Sequence, residues 1–410
     1  MTARTAVEHA DGVLPAPAER SLWPVLRYCG AVYLVVRIGL WALAAAAWAL
    51  TNEPGSITPN RTTQVLTNGW HNAFTDWNKW DSLWFLQIAQ HGYSNQNASA
   101  AFFPGYPLLI RAVGYLSFGH LLVAAYIVSN AALLAALCVL YRLTDRELGA
   151  EAARRAVLYL AIFPTAFFLF DTYSEALFLL CVLASLSLAR SRHWLWAGLA
   201  GAGATLTRSI GIVLILALAV EALHQMREDG RDGVSPRRVR AAAALRLGAS
   251  LLPAAGAGSY LLYWQLRFHD WYTPIRVENT NWDRSFAAPW DTLWRGLDLA
   301  WRYAFVRNTG WLTLDFLLVA LGLILGVFVA FRARPVYAVY TWASIVFFLS
   351  TAWPGRPLMS DPRYLLGLFP LVWPLARWGS RAGMHQAIVG VSAAGLAVVA
   401  WVFLATNLIY

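Results

Sequence analysis

The chain repeatedly runs apolar for about 20 residues, at 121–140, 316–331 and 388–409. Each run is long enough, as a helix, to cross a hydrocarbon core roughly 30 Å thick. This constrains the fold more than any other feature. Composition agrees: of 410 residues, 59% are hydrophobic and 13% charged, against roughly a quarter charged in soluble domains. A soluble globule is excluded, and an all-α polytopic membrane protein is expected.

The formal net charge of +10 does not point to nucleic acid. Lys79 is the only lysine, and many of the arginines sit in short loops between apolar runs, the pattern that sets orientation in a membrane. Cys29, Cys138 and Cys181 fall in or beside apolar segments, with no spacing for a zinc site or a disulfide framework. Neither a glycine-rich phosphate loop nor a cluster of metal ligands is found, so no cofactor and no metal are expected. Residues 1–25 are polar and lack the order of a cleavable signal. They read as a disordered cytoplasmic tail preceding one transmembrane domain, 26–410.

With the amino terminus inside, a first span at 29–50 leads to a large external loop, 51–120. Spans follow at 121–141, 156–170 and 173–189. Segment 195–223 carries Arg208 in mid-membrane, where a charge costs at least ~2.5 kcal/mol. Two short helices broken around Thr205, Thr207 and Gly211 remove that conflict, because irregular backbone is tolerated where it lines a cavity. The break makes arginine-rich 224–246 cytoplasmic and 267–310 a second large external loop. That loop is also rich in arginine, so charge alone does not fix the topology. Further spans at 312–331, 336–352, 364–376 and 386–408 bring the expected count to about 11 transmembrane helices.

Chemistry is sought first in the external loop. Residues 73–92 read as an interfacial amphipathic helix, with Trp77, Trp80, Trp84 and Ile88 on one face. Asp81 lies among those rings, placed to serve as a general base. The bland alternative is a solvated interfacial acid or a helix cap. Asp76 is the nearest rival base and Glu175 a more distant one. Two prolines around Gly105 fix a rigid turn at the start of the next apolar segment, and Asp171, Tyr173 and Glu175 mark the external end of a hairpin of spans. Arg37, Arg208 and Arg363 adjoin apolar segments toward the external side. An arginine there can fork two donors onto a phosphate, or can snorkel or hold a structural ion pair.

Trp80-Asp81-Ser82-Leu83-Trp84-Phe85-Leu86-Gln87-Ile88-Ala89, then His91-Gly92-Tyr93 and Ala101-Phe102-Phe103-Pro104-Gly105-Tyr106-Pro107, resemble the first external loop of PIG-V-like mannosyltransferases. The resemblance continues through Phe163-Pro164-Thr165, Tyr173-Ser174-Glu175, Leu206-Thr207-Arg208-Ser209, Asn281-Trp282-Asp283-Arg284 and Arg363-Tyr364-Leu365-Leu366. Ser174 stands where the family usually has Thr, and Asp283 where it usually has Gly. The resemblance implies a GT-C-like bundle with a catalytic carboxylate in the first external loop, here Asp81. Arg208 and Arg363 would bind the donor phosphate. Asp76, Trp80, Trp84, His91, Tyr106, Tyr173, Glu175, Trp282 and Arg284 would be candidates for substrate contact.

It further implies an inverting transfer of mannose from a polyprenyl-phosphate donor to a glycolipid or glycan acceptor. The expected setting is extracytoplasmic, at a bacterial plasma membrane, with membrane lipids as the other partners. A multi-pass transporter or flippase of a lipid-linked sugar is the alternative from another class. It would more naturally be built from two matching halves with charges at mid-membrane, and no internal repeat is visible. A structural partner in envelope assembly, a third reading, would be indifferent to neutralising Asp81.

Overall fold

Among the described residues, five helices are long and apolar enough to cross a membrane: Leu22–Leu50, Leu121–Leu148, Ser209–Arg231, Gly310–Arg332 and Ala382–Ala405. The computed structural model describes residues 22–50, 76–306 and 309–405. The expected tail up to residue 21, and 51–75 of the first external loop, lie outside the described residues. Around the long helices pack shorter ones, with Glu175–Arg190 at the centre. It lies between Leu121–Leu148 and Trp194–Thr207, burying Leu179, Val182, Leu183 and Leu186. The chain is a helical integral membrane protein, and the count of 11 is not reached by length and composition.

Two expected spans are interrupted by proline, which has no amide proton to give a helix. Segment 156–170 is the end of helix Ala150–Ala161, a turn through Pro164, and the single turn Phe167–Phe170. Segment 364–376 opens with 3₁₀ turns at Leu365–Gly367 and Phe369–Leu371, the latter holding Pro370, before the short helix Val372–Trp378. The interfacial helix at 73–92 also needs correction. The helix runs Asp81–His91, residues 73–75 being outside the described set, and Trp77, Trp84 and Ile88 are buried. The Trp77 ring packs against Phe167 and Phe403. The aromatic face therefore packs against protein.

The break at Arg208 is present. Helix Trp194–Thr207 ends there, with Arg208 extended at φ −152° and ψ 141° before the 3₁₀ turn Ser209–Val213. Gly211 permits the sharp return: a Cβ on it would come within 2.5 Å of the Thr205 amide nitrogen.

Charge sorts to the two ends of the bundle. One end gathers the arginine-rich connections: Arg190 pairs with Glu147 at 2.8 Å, Arg334 with Glu221 at 2.9 Å, and Arg192 and Arg246 each with Asp229 at 2.7 Å. Asp81, Glu175, Arg208 and Arg363 collect at the other. There a two-residue antiparallel pairing, Ser285–Phe286 with Thr351–Ala352, ties segment 267–310 to the segment before Arg363.

Candidate active site

Asp81 is the first residue of its helix, and the turn before it is made by Trp80 in left-handed backbone, φ 54°. The same device recurs at Asp283, φ 49°, just before Arg284, and at Ser360, φ 69°, just before Asp361. Non-glycine residues rarely adopt this conformation, and strain of this kind collects at functional sites. Three segments far apart in sequence are thus bent to aim side chains into one pocket.

Arg363 is the hub. Its Nη1 lies 2.7 Å from Asp81 Oδ2 and its Nε 3.1 Å from Glu175 Oε1. Arg208 also pairs with Glu175 Oε1 and approaches Ser174 Oγ at 3.3 Å. Arg284 donates to the Tyr364 hydroxyl at 2.9 Å and stands 3.9 Å from Glu278. The Tyr364 ring lies 4.8 Å from the Arg208 guanidinium and 5.8 Å from that of Arg284, so it spaces two cations by presenting π density to both. Three arginines and three carboxylates share this space. Formally the set is balanced, which lets it persist where water is scarce.

The pocket these residues line holds about 110 Å³ of open space. Trp282 and Trp353 also line it, and their indole nitrogens are buried without a hydrogen-bond partner among the described residues. A buried donor without an acceptor costs free energy, and a ligand rich in oxygen would relieve it. A wider groove of about 660 Å³ opens alongside, sharing Arg208, Glu278, Arg284 and Tyr364 with the pocket. Its remaining walls include Ile210, Leu261, Ile275, Phe286 and Phe347. One site thus joins an arginine-rich chamber to an apolar channel, a shape suited to an anionic head on a hydrocarbon tail. Behind it, burial pushes the Asp361 carboxyl well above its ordinary value, with Asp315 adding to the rise and Arg284 and Arg356 opposing it.

Of the residues singled out in sequence, Asp81, Glu175, Arg208, Trp282, Arg284 and Arg363 come together here. Trp84 stands behind them, stacked on Phe102 and edge-on to Trp282. Trp80 adjoins as the strained residue before Asp81. Tyr173 reaches the site's edge, its ring 5.9 Å from the Arg363 guanidinium, and the others stand outside the pocket lining. Asp76 pairs with Lys79 at 3.5 Å, and burial raises its carboxyl. Tyr106 shares a 2.6 Å hydrogen bond with Ser129, Tyr173 donates to the Lys79 carbonyl, and His91 is exposed at its helix end. Arg37 donates to the Phe170 carbonyl and lies over Trp41. Glu278 and Trp353 were not singled out in sequence. Glu278 is one acid among several in a charged loop, and no spacing marks Trp353.

A family model described as mannosyltransferase (PIG-V) matches residues 31–353. No curated protein matches the chain by sequence. Among solved structures, ArnT from Cupriavidus metallidurans bound to undecaprenyl phosphate shares 15% identity with a TM-score of 0.49, over 93% of this chain and 76% of that one. The oligosaccharyltransferase of Archaeoglobus fulgidus, in complex with Zn and sulfate, shares 12% identity with a TM-score of 0.43, over 89% of this chain. This chain spans about half the length of that enzyme, 53%.

Proposed function

Because the chain belongs to the PIG-V mannosyltransferase family, we propose that it is an inverting GT-C glycosyltransferase whose chemistry is centred on Asp81. It takes mannose from a polyprenyl-phosphate carrier and passes it to a lipid-linked or envelope glycan, at the extracytoplasmic face of a bacterial plasma membrane. The observation that carries the reading is the contact of Asp81 with Arg363 inside a chamber that also holds Arg208 and Arg284. A base and cations for a leaving phosphate stand within one sugar's width.

The bond changes follow from that arrangement. An acceptor hydroxyl attacks the anomeric carbon from the face opposite the lipid phosphate. Asp81 takes the hydroxyl proton as the new carbon–oxygen bond forms, and the bond to the phosphate oxygen breaks, its electron pair leaving with the phosphate. Phosphate is stable when expelled, so it needs neutralisation more than an acid. Arg208 and Arg363 supply it by turning donors from Glu175 to the phosphate oxygens. The Trp282 and Trp353 indoles donate to sugar or phosphate oxygens, and the apolar groove receives the carrier's isoprenoid tail.

Purified protein given polyprenyl-phosphate-[³H]mannose and a glycolipid extract tests this directly. Label appearing in a product of opposite anomeric configuration is expected. Mass spectrometry of envelope glycolipids from a deletion strain should show a species one hexose short, which names the acceptor. Intact export of labelled carrier without any transfer would instead favour a transporter.

A further inference from the structure

At the end of the bundle opposite Asp81 lies a second cavity of about 290 Å³, walled by the last turns of Gly310–Arg332 and of Val372–Trp378. Helix Glu175–Arg190 separates the two sites: it begins at Glu175 and is about 24 Å long at 1.5 Å per residue. We infer that this second cavity binds the headgroup of an anionic phospholipid from the leaflet on that side.

The charges leave two cations free for a ligand. Glu147 at the cavity wall is engaged by Arg190 at 2.8 Å and by the Tyr337 hydroxyl at 2.9 Å. Arg334 is held by Glu221 and by Glu228, the latter at 3.0 Å. Arg332 and Arg377, on the two facing helices, are exposed and have no ion-pair partner among the described residues. Two guanidiniums on facing walls suit an anion between them, because each can present paired donors to a phosphate.

The surroundings select a lipid over a soluble anion. Arg332 closes an apolar span, which places the cavity at membrane-interface height. From the mouth, Phe331, Phe328 and Ile324 descend the same helix at spacings of three and four and are all exposed, so one helical face leads from the arginines into the hydrocarbon. Trp378, edge-on to Phe328 at 4.9 Å, adds an indole at the level that tryptophan favours. An acyl chain laid along that face would cover apolar surface that the protein itself leaves open.

The test uses the full chain, delipidated in detergent, with phosphatidylglycerol and phosphatidylcholine of the same acyl chains read by native mass spectrometry. Each cation near an anionic headgroup contributes about fivefold, so two give the parent a preference of about twenty-five-fold for phosphatidylglycerol. R332Q/R377Q should abolish that preference. R332K/R377K, which keeps both charges, should retain most of it and shows that the loss is not unfolding. Equal retention of the two lipids by the parent, or an unchanged preference in R332Q/R377Q, overturns the inference. So does displacement of the lipid by excess inorganic phosphate, which would make this a site for the free ion.

Discussion

Asp81 and Arg363, brought from the start of helix Asp81–His91 and from the segment before the last long helix, meet at 2.7 Å. The ion pair keeps the carboxylate beside the guanidinium in the pocket wall. An acid so held can take a proton from a hydroxyl without first having to be positioned.

Asp81→Asn should therefore fold and bind donor, since the amide keeps the shape and Glu175 still accompanies Arg363. Transfer should fall by roughly a hundred- to ten-thousand-fold, the usual contribution of a general base. Initial rates with purified protein and labelled donor check this; a loss of only a few-fold would remove Asp81 from the role.

Arg363 is buried between two carboxylates, so Arg363→Ala leaves Asp81 without its ion-pair partner and Glu175 held by Arg208 alone. We expect a stability loss of about 3–5 kcal/mol, read by thermal unfolding in detergent, together with loss of transfer. Arg363→Lys keeps the charge but cannot reach Asp81 and Glu175 with separate donors. Its stability should largely recover while its transfer stays severely reduced. Near-parental turnover in the Lys variant would make Arg363 a structural cation.

Asp361 gives a pH test. Its folded carboxyl titrates well above the ordinary 3.8 because burial disfavours the charge. Below pH 3.8 both folded and unfolded states hold the proton and the group costs nothing. As pH rises from there to the folded value, the unfolded chain ionises first, and stability is lost across that window. Asp361→Asn cannot ionise. Its melting temperature should match the parent's at the acid end and exceed it above neutrality. Parallel curves for the two proteins across the whole range would refute the assignment.

The orientation proposed for the site can be read with cysteines. Phe286 is largely exposed beside the site and Val234 is exposed at the opposite end. In intact cells an impermeant maleimide should label Phe286→Cys and spare Val234→Cys. The reverse pattern would place the chemistry in the cytoplasm.

Much of this site was legible from residues that break a local rule. Arg208 inside an apolar segment demanded an interruption, and the interruption is there. Asp81 among tryptophans marked a turn that lines the candidate pocket. The tryptophans misled about surroundings, because an aromatic face at helical spacing looks the same whether it meets lipid or protein, and Trp77 meets Phe403. The prolines at 164, 370 and 374 marked the broken segments but were outweighed by continuous apolarity. Glu278 and Trp353 reach the pocket only through a fold that carries them to Arg284 and Arg363. Nothing local distinguishes them from other loop acids and indoles.

The shared hold of Arg208 and Arg363 on Glu175 bears on turnover. A site that grips a leaving phosphate with two otherwise unsatisfied cations would release it slowly and be choked by its own spent carrier. Under the proposed mechanism Glu175 is a rival anion to which the arginines return as the carrier departs. We therefore expect weak product inhibition by polyprenyl phosphate in the parent. Glu175→Gln should bind that product more tightly and cycle more slowly, even where a single round of transfer survives. Progress curves with added carrier phosphate would show it, and inhibition unchanged by the substitution would mean that release is governed elsewhere.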